Sequence, residues 1–261
     1  MSAAVWRERL RVHADALLSR DDAGFLAGWA AAWRTWAAPP EVDALAAALD
    51  GPAGATLEGL LQPCMRRALA LDERAETDAL LARRPPSAGR VRDAVQSAFG
   101  TATWDRVAEA ATLVPLSARR HAVVVGGGPF PAAALWLRDE TTIPSIDVLD
   151  VDEVAVERAR RWATWCGDGR LRPRRADGAT TTYDGADLVY VANQVTPKRE
   201  VLARVLATAA DDVVAVVREP VGLGRLLAER ALAVPAPGWR VRAVGATHPT
   251  FLSRHVVLER A

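Results

Sequence analysis

A run of three glycines at residues 126–128 lies directly after the apolar segment 121–125 and is followed by Pro129-Phe130-Pro131. The apolar segment predicts a buried strand, and glycines at its end let a backbone approach a ligand closely because no Cβ intervenes. Pro131 stands where the dinucleotide-binding fingerprint has its third glycine. Pro129 and Pro131 also lack the N–H groups that would hold a pyrophosphate. The turn therefore favours a nucleoside ligand without phosphate over NAD or ATP.

Acidic residues follow the next two predicted strands. Asp150 lies 24 residues beyond Gly126, where a carboxylate can accept hydrogen bonds from both hydroxyls of a ribose. Its alternative role is to cap the following helix, for which Asp152 is better placed. Asp177 follows the third strand, where it could bind an adenine amino group or simply form an Asp-Gly turn. A glycine turn with these two acids predicts a site for S-adenosylmethionine (SAM), which carries no phosphate.

Polar side chains also end the fourth and fifth predicted strands, at the edge where ligands collect in open α/β sheets. Asn193 and Gln194 are expected to face the reacting centre. Arg218 could bind a carboxylate, or pair with Glu219 or another surface acid. The full set of predicted cofactor contacts is Gly126, Gly127, Gly128, Pro129, Asp150, Val151, Asp177, Gly178, Asn193 and Gln194.

Strand and helix segments alternate from residue 119 to the C-terminus, which predicts an α/β fold with a mostly parallel sheet. Seven strands are expected near residues 121–125, 145–149, 171–175, 187–192, 212–217, 239–244 and 254–259. Helices are expected near residues 130–138, 153–165, 198–209 and 222–232. No helix separates the last two strands, so we expect an antiparallel C-terminal edge. The region from 119 to 261 is thus predicted to be a Rossmann-like class I SAM-binding domain.

Residues 1–118 show apolar positions at helical spacing and no strand-like alternation, which predicts an all-helical N-terminal domain of five or six helices. Asp21 and Asp22 are suited to cap the second of them. Trp29, Trp33 and Trp36 share one stripe of that helix. Such a stripe is more typical of a core or an interdomain seam than of a substrate cavity, although this domain could serve as a substrate lid.

Composition excludes several classes of function. The net charge of +1 favours neither nucleic acid nor an anionic membrane as a partner. Cys64 and Cys166 lack C-x-x-C spacing and the four histidines are scattered, so we expect no disulfide framework and no metal site. The N-terminus lacks the apolar segment of a signal peptide, and no run is long enough to span a membrane. A cytoplasmic enzyme is the expectation.

The glycine-proline turn, the segment 147–152 and the segment 187–193 together resemble nicotianamine synthase and its bacterial opine-metallophore relatives, whose glycine loop continues into Gly-Pro-aliphatic-Pro. The motifs cover about 140 residues, and a helical domain before the SAM domain is a further shared feature. The resemblance implies transfer of the 3-amino-3-carboxypropyl group of SAM to an amine, with release of methylthioadenosine (MTA). Related enzymes of this fold instead cyclise SAM to a small-ring amino acid.

The resemblance also implies catalytic residues. Trp104 and Glu109 loosely match an aromatic-rich helical segment and a glutamate that precede the SAM domain in that family. Glu109 would then accept a proton from the attacking amine while Trp104 shields the sulfonium. The simpler interpretation is a solvated glutamate beside a core tryptophan. Tyr183 or Tyr190 could serve as the base instead, and Arg218 completes the catalytic candidates.

Alternative functions stay open at this point. A small-molecule methyltransferase of natural-product biosynthesis is the first alternative, followed by a non-catalytic SAM-fold partner protein and an NAD-dependent oxidoreductase. The sulfonium of SAM has three electrophilic carbons, and the one attacked is the one held in line with the nucleophile. The substrate is expected to be an amino acid, an amine or SAM alone, and a homodimer is possible.

Overall fold

A computed structural model describes the chain over nine ranges. They are residues 3–36, 41–51, 54–83, 91–94, 98–226, 228–230, 232, 236–247 and 252–261.

In the described part of the chain six α-helices precede the first strand, within the expected number of five or six. They are α1 (Ala3–Leu18), α2 (Asp22–Trp36), α3 (Glu41–Asp50), α4 (Gly54–Ala82), α5 (Val91–Ala94) and α6 (Ala98–Leu113). Asp21 caps α2, because its Oδ1 accepts a hydrogen bond from the backbone N–H of Gly24 at 2.8 Å. Asp22 is the first residue of the helix and binds Arg67.

The first four helices pack around their own core. Phe25 stacks on Trp29 with ring centroids 6.3 Å apart, and both belong to one buried cluster with Leu57 and Leu61 of α4. Trp29 is therefore a core residue. The side chains of Trp33 and Trp36 lie outside the described residues.

Seven strands form one sheet in the order β3-β2-β1-β4-β5-β7-β6. Their bounds are β1 (His121–Val125), β2 (Ser145–Asp150), β3 (Leu171–Arg175), β4 (Leu188–Val191), β5 (Val214–Pro220), β6 (Trp239–Val244) and β7 (Ser253–Arg260). All pairings among β1, β2, β3, β4 and β5 are parallel, while β7 runs antiparallel to both β5 and β6. The prediction of a mostly parallel seven-stranded sheet with an antiparallel C-terminal edge is confirmed.

Three further helices cover the sheet: α7 (Ala132–Glu140), α8 (Glu153–Cys166) and α9 (Lys198–Thr208). Helices α6, α7 and α8 share a core with one face of the sheet, and α9 packs on the other. Asp152 caps α8 through a hydrogen bond from the backbone N–H of Val154 at 2.9 Å, as expected for that residue.

The expected helix at 222–232 is wrong. The chain forms a 3₁₀ turn over Gly222–Leu226, and residues 228–230 are irregular. The backbone carbonyls of Arg225 and Ala228 accept hydrogen bonds from the side-chain amide of Gln62 at 2.9 and 3.2 Å. These two hydrogen bonds hold the segment against α4.

The 29-residue helix α4 joins the helical region to the sheet region at two places. Toward its N-terminal end, Glu58 accepts a hydrogen bond from Arg225 Nε at 2.6 Å. Toward its C-terminal end, Asp78 accepts one from Arg158 Nε of α8 at 2.9 Å. The central turns of α4 are thereby held over the carboxyl ends of the strands. Among the described residues, no helix has the length and apolar character needed to cross a membrane.

Candidate functional site

A cavity of about 490 Å³ lies at the carboxyl ends of β1, β2 and β4, beneath the middle of α4. Its volume is within the range of about 300–1,000 Å³ that is usual for small-molecule sites. All ten predicted cofactor contacts line it, together with Tyr190 and Arg218. The structure therefore brings together residues from five separate segments of the sequence, and their individual contacts with a ligand stay predictions.

The glycine turn forms one wall of the cavity. The backbone N–H groups of Gly126 and Gly127 both donate to the carbonyl of Leu149, at 2.8 and 3.0 Å. Gly126 has a φ of +74°, a conformation that residues with a Cβ rarely adopt. A Cβ at Gly126 would lie 2.5 Å from Cγ2 of Val195. The protein itself thus requires glycine here, quite apart from the approach of a ligand.

Asp150 ends β2 beside this turn. Its Oδ2 accepts a hydrogen bond from the backbone N–H of Gly128 at 2.8 Å, and its Oδ1 accepts one from Asp152 at 3.0 Å. The helix cap is made by Asp152, so Asp150 does not have that role. The hydrogen bond from the glycine turn instead orients the carboxylate of Asp150, which faces the cavity. That placement is the one that the ribose-binding prediction needs.

Asp177 forms the Asp-Gly turn that the sequence offered as its alternative role. Its Oδ1 accepts a hydrogen bond from the backbone N–H of Ala179 at 2.8 Å. The residue also lines the cavity with Gly178, so the turn and an adenine contact are compatible. The hydroxyl of Tyr183 donates to the carbonyl of Gly178 at 2.7 Å. Tyr183 is thus a buried support for this turn, and it is not among the residues that line the cavity.

A carboxyl group that the sequence analysis missed enters the cavity from α4. Glu73 faces the glycine turn so closely that a Cβ on Gly128 would lie 3.2 Å from its Oε2. Removal of this carboxyl from bulk water raises its pKa to about 7, with a further increase from the negative charge of Asp150 and an opposing effect of Arg218. At neutral pH, Glu73 is therefore a proton acceptor much stronger than an ordinary glutamate.

The placement of Glu73 follows from helical spacing. Ala70, Glu73 and Arg74 lie three and four residues apart, share one face of α4 and line the cavity. Arg74 forms an ion pair with Asp152, the cap of α8. Because Arg74, the residue next to Glu73, is bound to Asp152 just after β2, Glu73 is held opposite the glycine turn.

The inner wall is formed by β4 and β5. Tyr190 of β4 and Arg218 of β5 line the cavity, and the hydroxyl of Tyr190 lies 2.9 Å from Nε2 of His255. On the other side of that ring, Nδ1 of His255 lies 3.7 Å from Oε2 of Glu109. Burial raises the pKa of Tyr190. Neither Glu109 nor Trp104 lines the cavity. Glu109 lies behind His255, and Trp104 is part of the buried core between α6 and the sheet.

Lys198, the only lysine of the chain, supports this wall from behind. Its Nζ donates to the backbone carbonyls of Arg218 and Glu229, both at 2.9 Å. Burial lowers its pKa to about 8, and two carbonyl acceptors compensate for its removal from water. Lys198 therefore fixes the backbone that carries Arg218. Over the described part of the chain, no group of three or more histidine, cysteine or acidic residues is arranged to hold a metal ion.

Comparison with solved structures finds the same fold over nearly the whole chain. MtNAS, a nicotianamine synthase, matches with a TM-score of 0.75 and 15% identity, covering 98% of each chain, in a glutamate-to-glutamine variant bound to S-adenosylmethionine. A second MtNAS structure, in complex with MTA and tNA, matches with the same values. No protein-family model matches the sequence, and no curated protein does.

Two other solved structures, one of them a methyltransferase, share the fold over less of the chain. The mitomycin 7-O-methyltransferase MmcR matches with a TM-score of 0.51 and 18% identity, covering 84% of this chain and 75% of its own. LaPhzM gives a TM-score of 0.52 at 12% identity, covering 76% and 73%. At these identities the likeness establishes the fold, which is that of class I SAM-dependent methyltransferases with the helical region of nicotianamine synthase.

Proposed function

We propose that this protein is an enzyme that consumes SAM by attack of an amine on the 3-amino-3-carboxypropyl group, with release of MTA. The observation that carries the proposal is Glu73, a carboxyl group with a pKa raised to about 7 that faces the glycine turn from α4. The likeness to MtNAS, solved with SAM and with MTA, supports SAM as the substrate and MTA as the product.

The residues of the cavity fit SAM by their chemistry. Gly126, Gly127 and Gly128 line the cavity with a tight turn of backbone against which a nucleoside can pack. Asp150 supplies carboxylate oxygens for the ribose hydroxyls, and Asp177 supplies them for the adenine amino group. Pro129, Val151, Gly178, Asn193 and Gln194 complete the cofactor contacts. No phosphate-binding row of N–H groups is needed for this ligand.

Glu73 acts as the general base. An amine is protonated at neutral pH and becomes a nucleophile only after losing a proton, which the carboxylate of Glu73 accepts. The nitrogen lone pair then forms a bond to the carbon beside the sulfonium, and the carbon–sulfur electron pair goes to sulfur, which leaves as the neutral thioether of MTA. The attacking amine belongs to a second substrate or to SAM itself. In the second case the product is a four-membered ring.

The leaving group tests this proposal. We expect the purified protein, incubated with SAM alone and then with amino-acid acceptors, to release MTA, detected by mass spectrometry. MTA together with a new amino acid from SAM alone indicates cyclisation, whereas MTA only with an acceptor indicates transfer. S-adenosylhomocysteine as the product would instead establish a methyltransferase, the second candidate, which the likeness to MmcR favours.

Asp150 gives a test of the binding mode. We expect Asp150→Ala to weaken SAM binding by about 1–3 kcal/mol, because charge-assisted hydrogen bonds to the ribose are lost. Isothermal titration calorimetry measures the change, with Asp211→Ala, an exposed aspartate outside the cavity, as the matched control. Equal affinities in the two variants would remove Asp150 from the site.

A further inference from the structure

Three side chains lie in a row that begins at the inner wall of the cavity and continues into the protein behind it. Tyr190 lines the cavity, His255 is fully buried behind it, and the carboxyl of Glu109 is one quarter exposed beyond that. The two contacts that join them are the 2.9 Å distance from the Tyr190 hydroxyl to Nε2 and the 3.7 Å distance from Nδ1 to Glu109 Oε2. The row reaches from the ligand cavity toward the surface at α6.

The sheet register explains why these residues meet. Tyr190 pairs with Val216 of β5, and Val216 pairs with Val257 of β7, so Tyr190 and His255 lie on one face of three adjacent strands. Arg218 stands directly opposite His255 in the same register. Helix α6 covers this face, which brings Glu109 to the outer nitrogen of the ring.

The charged groups around His255 come from three elements. Helix α6 contributes Arg106 and Glu109, β5 contributes Arg218, and α4 contributes Glu73, whose carboxyl interacts with Arg218. Arg106 is buried beside Arg218, and burial together with that neighbouring charge lowers its pKa to about 10. Arg218 stands opposite His255, and Arg106 interacts with Arg218, so a further buried cation at His255 would be costly and the imidazole is favoured in its neutral form.

A neutral imidazole carries one N–H donor and one acceptor nitrogen. Nδ1 faces a carboxylate, which is acceptor-only and whose negative charge attracts an N–H at 3.7 Å even though that distance exceeds hydrogen-bond length. The proton therefore belongs on Nδ1 and leaves Nε2 as the acceptor. The Tyr190 hydroxyl must then donate its only proton to Nε2 at 2.9 Å.

We propose that Glu109 holds His255 as the neutral Nδ1-protonated form, and that His255 in turn fixes Tyr190 as a hydrogen-bond acceptor toward the cavity. The ligand group bound by the Tyr190 hydroxyl is therefore an uncharged N–H donor, a neutral amine, because an ammonium would add a cation beside Arg106 and Arg218 and a carboxylate would meet oxygen lone pairs. This inference rests on the proposed function for the identity of the amine, which is the amino group of the SAM side chain. His255 and Glu109 are positioning residues, and Tyr190 binds the substrate.

The position of the proton on the His255 imidazole can be measured in the protein without ligand. We expect ¹⁵N spectra of the full chain with labelled histidine to show His255 with its proton on Nδ1. The chain contains only four histidines, and His255→Phe identifies the signal by its loss. Glu109→Leu is expected to move the proton toward Nε2. Protonation at Nε2 in the wild-type protein, or a doubly protonated ring at neutral pH, would overturn the inference.

Ligand binding supplies the second test, with SAM, decarboxylated SAM and MTA as probes. Tyr190→Phe should weaken the binding of SAM and of decarboxylated SAM by the same factor, about tenfold to a hundredfold. The affinity for MTA should stay unchanged, because MTA lacks the amino group of the SAM side chain. Weakening of SAM alone would place the carboxylate at this wall and contradict the inference. If none of the three binds the wild-type protein, the proposed function has failed, while the histidine spectrum still decides the state of His255.

Discussion

Glu73→Gln is expected to lower the rate of MTA formation by about 10²- to 10⁴-fold, the usual contribution of a positioned general base. Glutamine keeps the size and polarity of the side chain but cannot accept the proton of an ammonium group. SAM affinity should change little, because Glu73 acts on the nucleophile. Single-turnover assays measure the rate and calorimetry measures the affinity. A variant of normal activity would show that another group accepts the proton.

The pH dependence of the same reaction identifies the base. Because the pKa of Glu73 is raised to about 7, kcat/KM in the wild-type protein should rise with pH through that value as the carboxyl ionises. Glu73→Gln should lack this limb of the profile. Asp72→Asn, an exposed neighbour on the same helix, is the control that should retain it.

Glu73→Gln is expected to increase the stability of the folded protein while it lowers the activity. A carboxyl whose folded-state pKa lies above its ordinary value of about 4.5 favours the folded protein most at low pH, and this contribution is lost as pH rises toward the folded pKa of about 7. Well above pH 7 the ionised group costs up to roughly 3 kcal/mol. We therefore expect Glu73→Gln to raise the free energy of unfolding at pH 8 and to have little effect at pH 4, as measured by urea denaturation. Equal stability of variant and wild type at pH 8 would contradict the burial of this charge.

Gly126→Val is expected to abolish measurable SAM binding. The substitution places a Cβ 2.5 Å from Cγ2 of Val195 and forces a branched residue to a φ of +74°. The backbone strain and the overpacking together should also lower the free energy of unfolding by roughly 2–4 kcal/mol. Calorimetry and thermal unfolding followed by circular dichroism measure the two effects.

A second glycine with positive φ serves as a control that carries the backbone strain without the steric clash. Gly185 has a φ of +71°, and a Cβ there would meet no atom within 4 Å, so Gly185→Val imposes the backbone strain alone and should leave SAM binding intact. Gly126→Ala combined with Val195→Ala removes the clash and is expected to recover part of the binding. If Gly126→Val binds SAM normally, the turn does not contact the nucleoside.

The sequence predicted the elements whose signals are local. Strands β1, β4 and β5 combine an apolar run with flanking turn residues, and Asp152 precedes α8 at the position of a cap. The glycine turn and Asp150 were identified because their spacing is set within one strand-turn-helix-strand unit. The helix expected at 222–232 was wrong, and the turn found there is bound by Gln62, 163 residues from Arg225, through a long-range contact that the local sequence does not show.

Glu73 and His255 were missed because their roles depend on long-range contacts. Glu73 lies in the stretch Asp72-Glu73-Arg74-Ala75-Glu76, which is typical of a solvated helix face. Only the packing of α4 over the strand ends removes it from water. His255 could have been noticed as a polar residue in an apolar strand, but its partners on β4 and α6 are set by the sheet register.

The long helix α4 also bears on how this fold can acquire new reactions. The groups proposed to hold the nucleoside come from the sheet region, whereas the proposed base comes from a helix anchored at both ends by Glu58 and Asp78. Substitutions on one face of α4 could change which nucleophile is activated without altering the glycine turn. Evolution could thus exchange the chemistry while conserving nucleoside recognition, which fits the presence of methyltransferases and a nicotianamine synthase on the same scaffold.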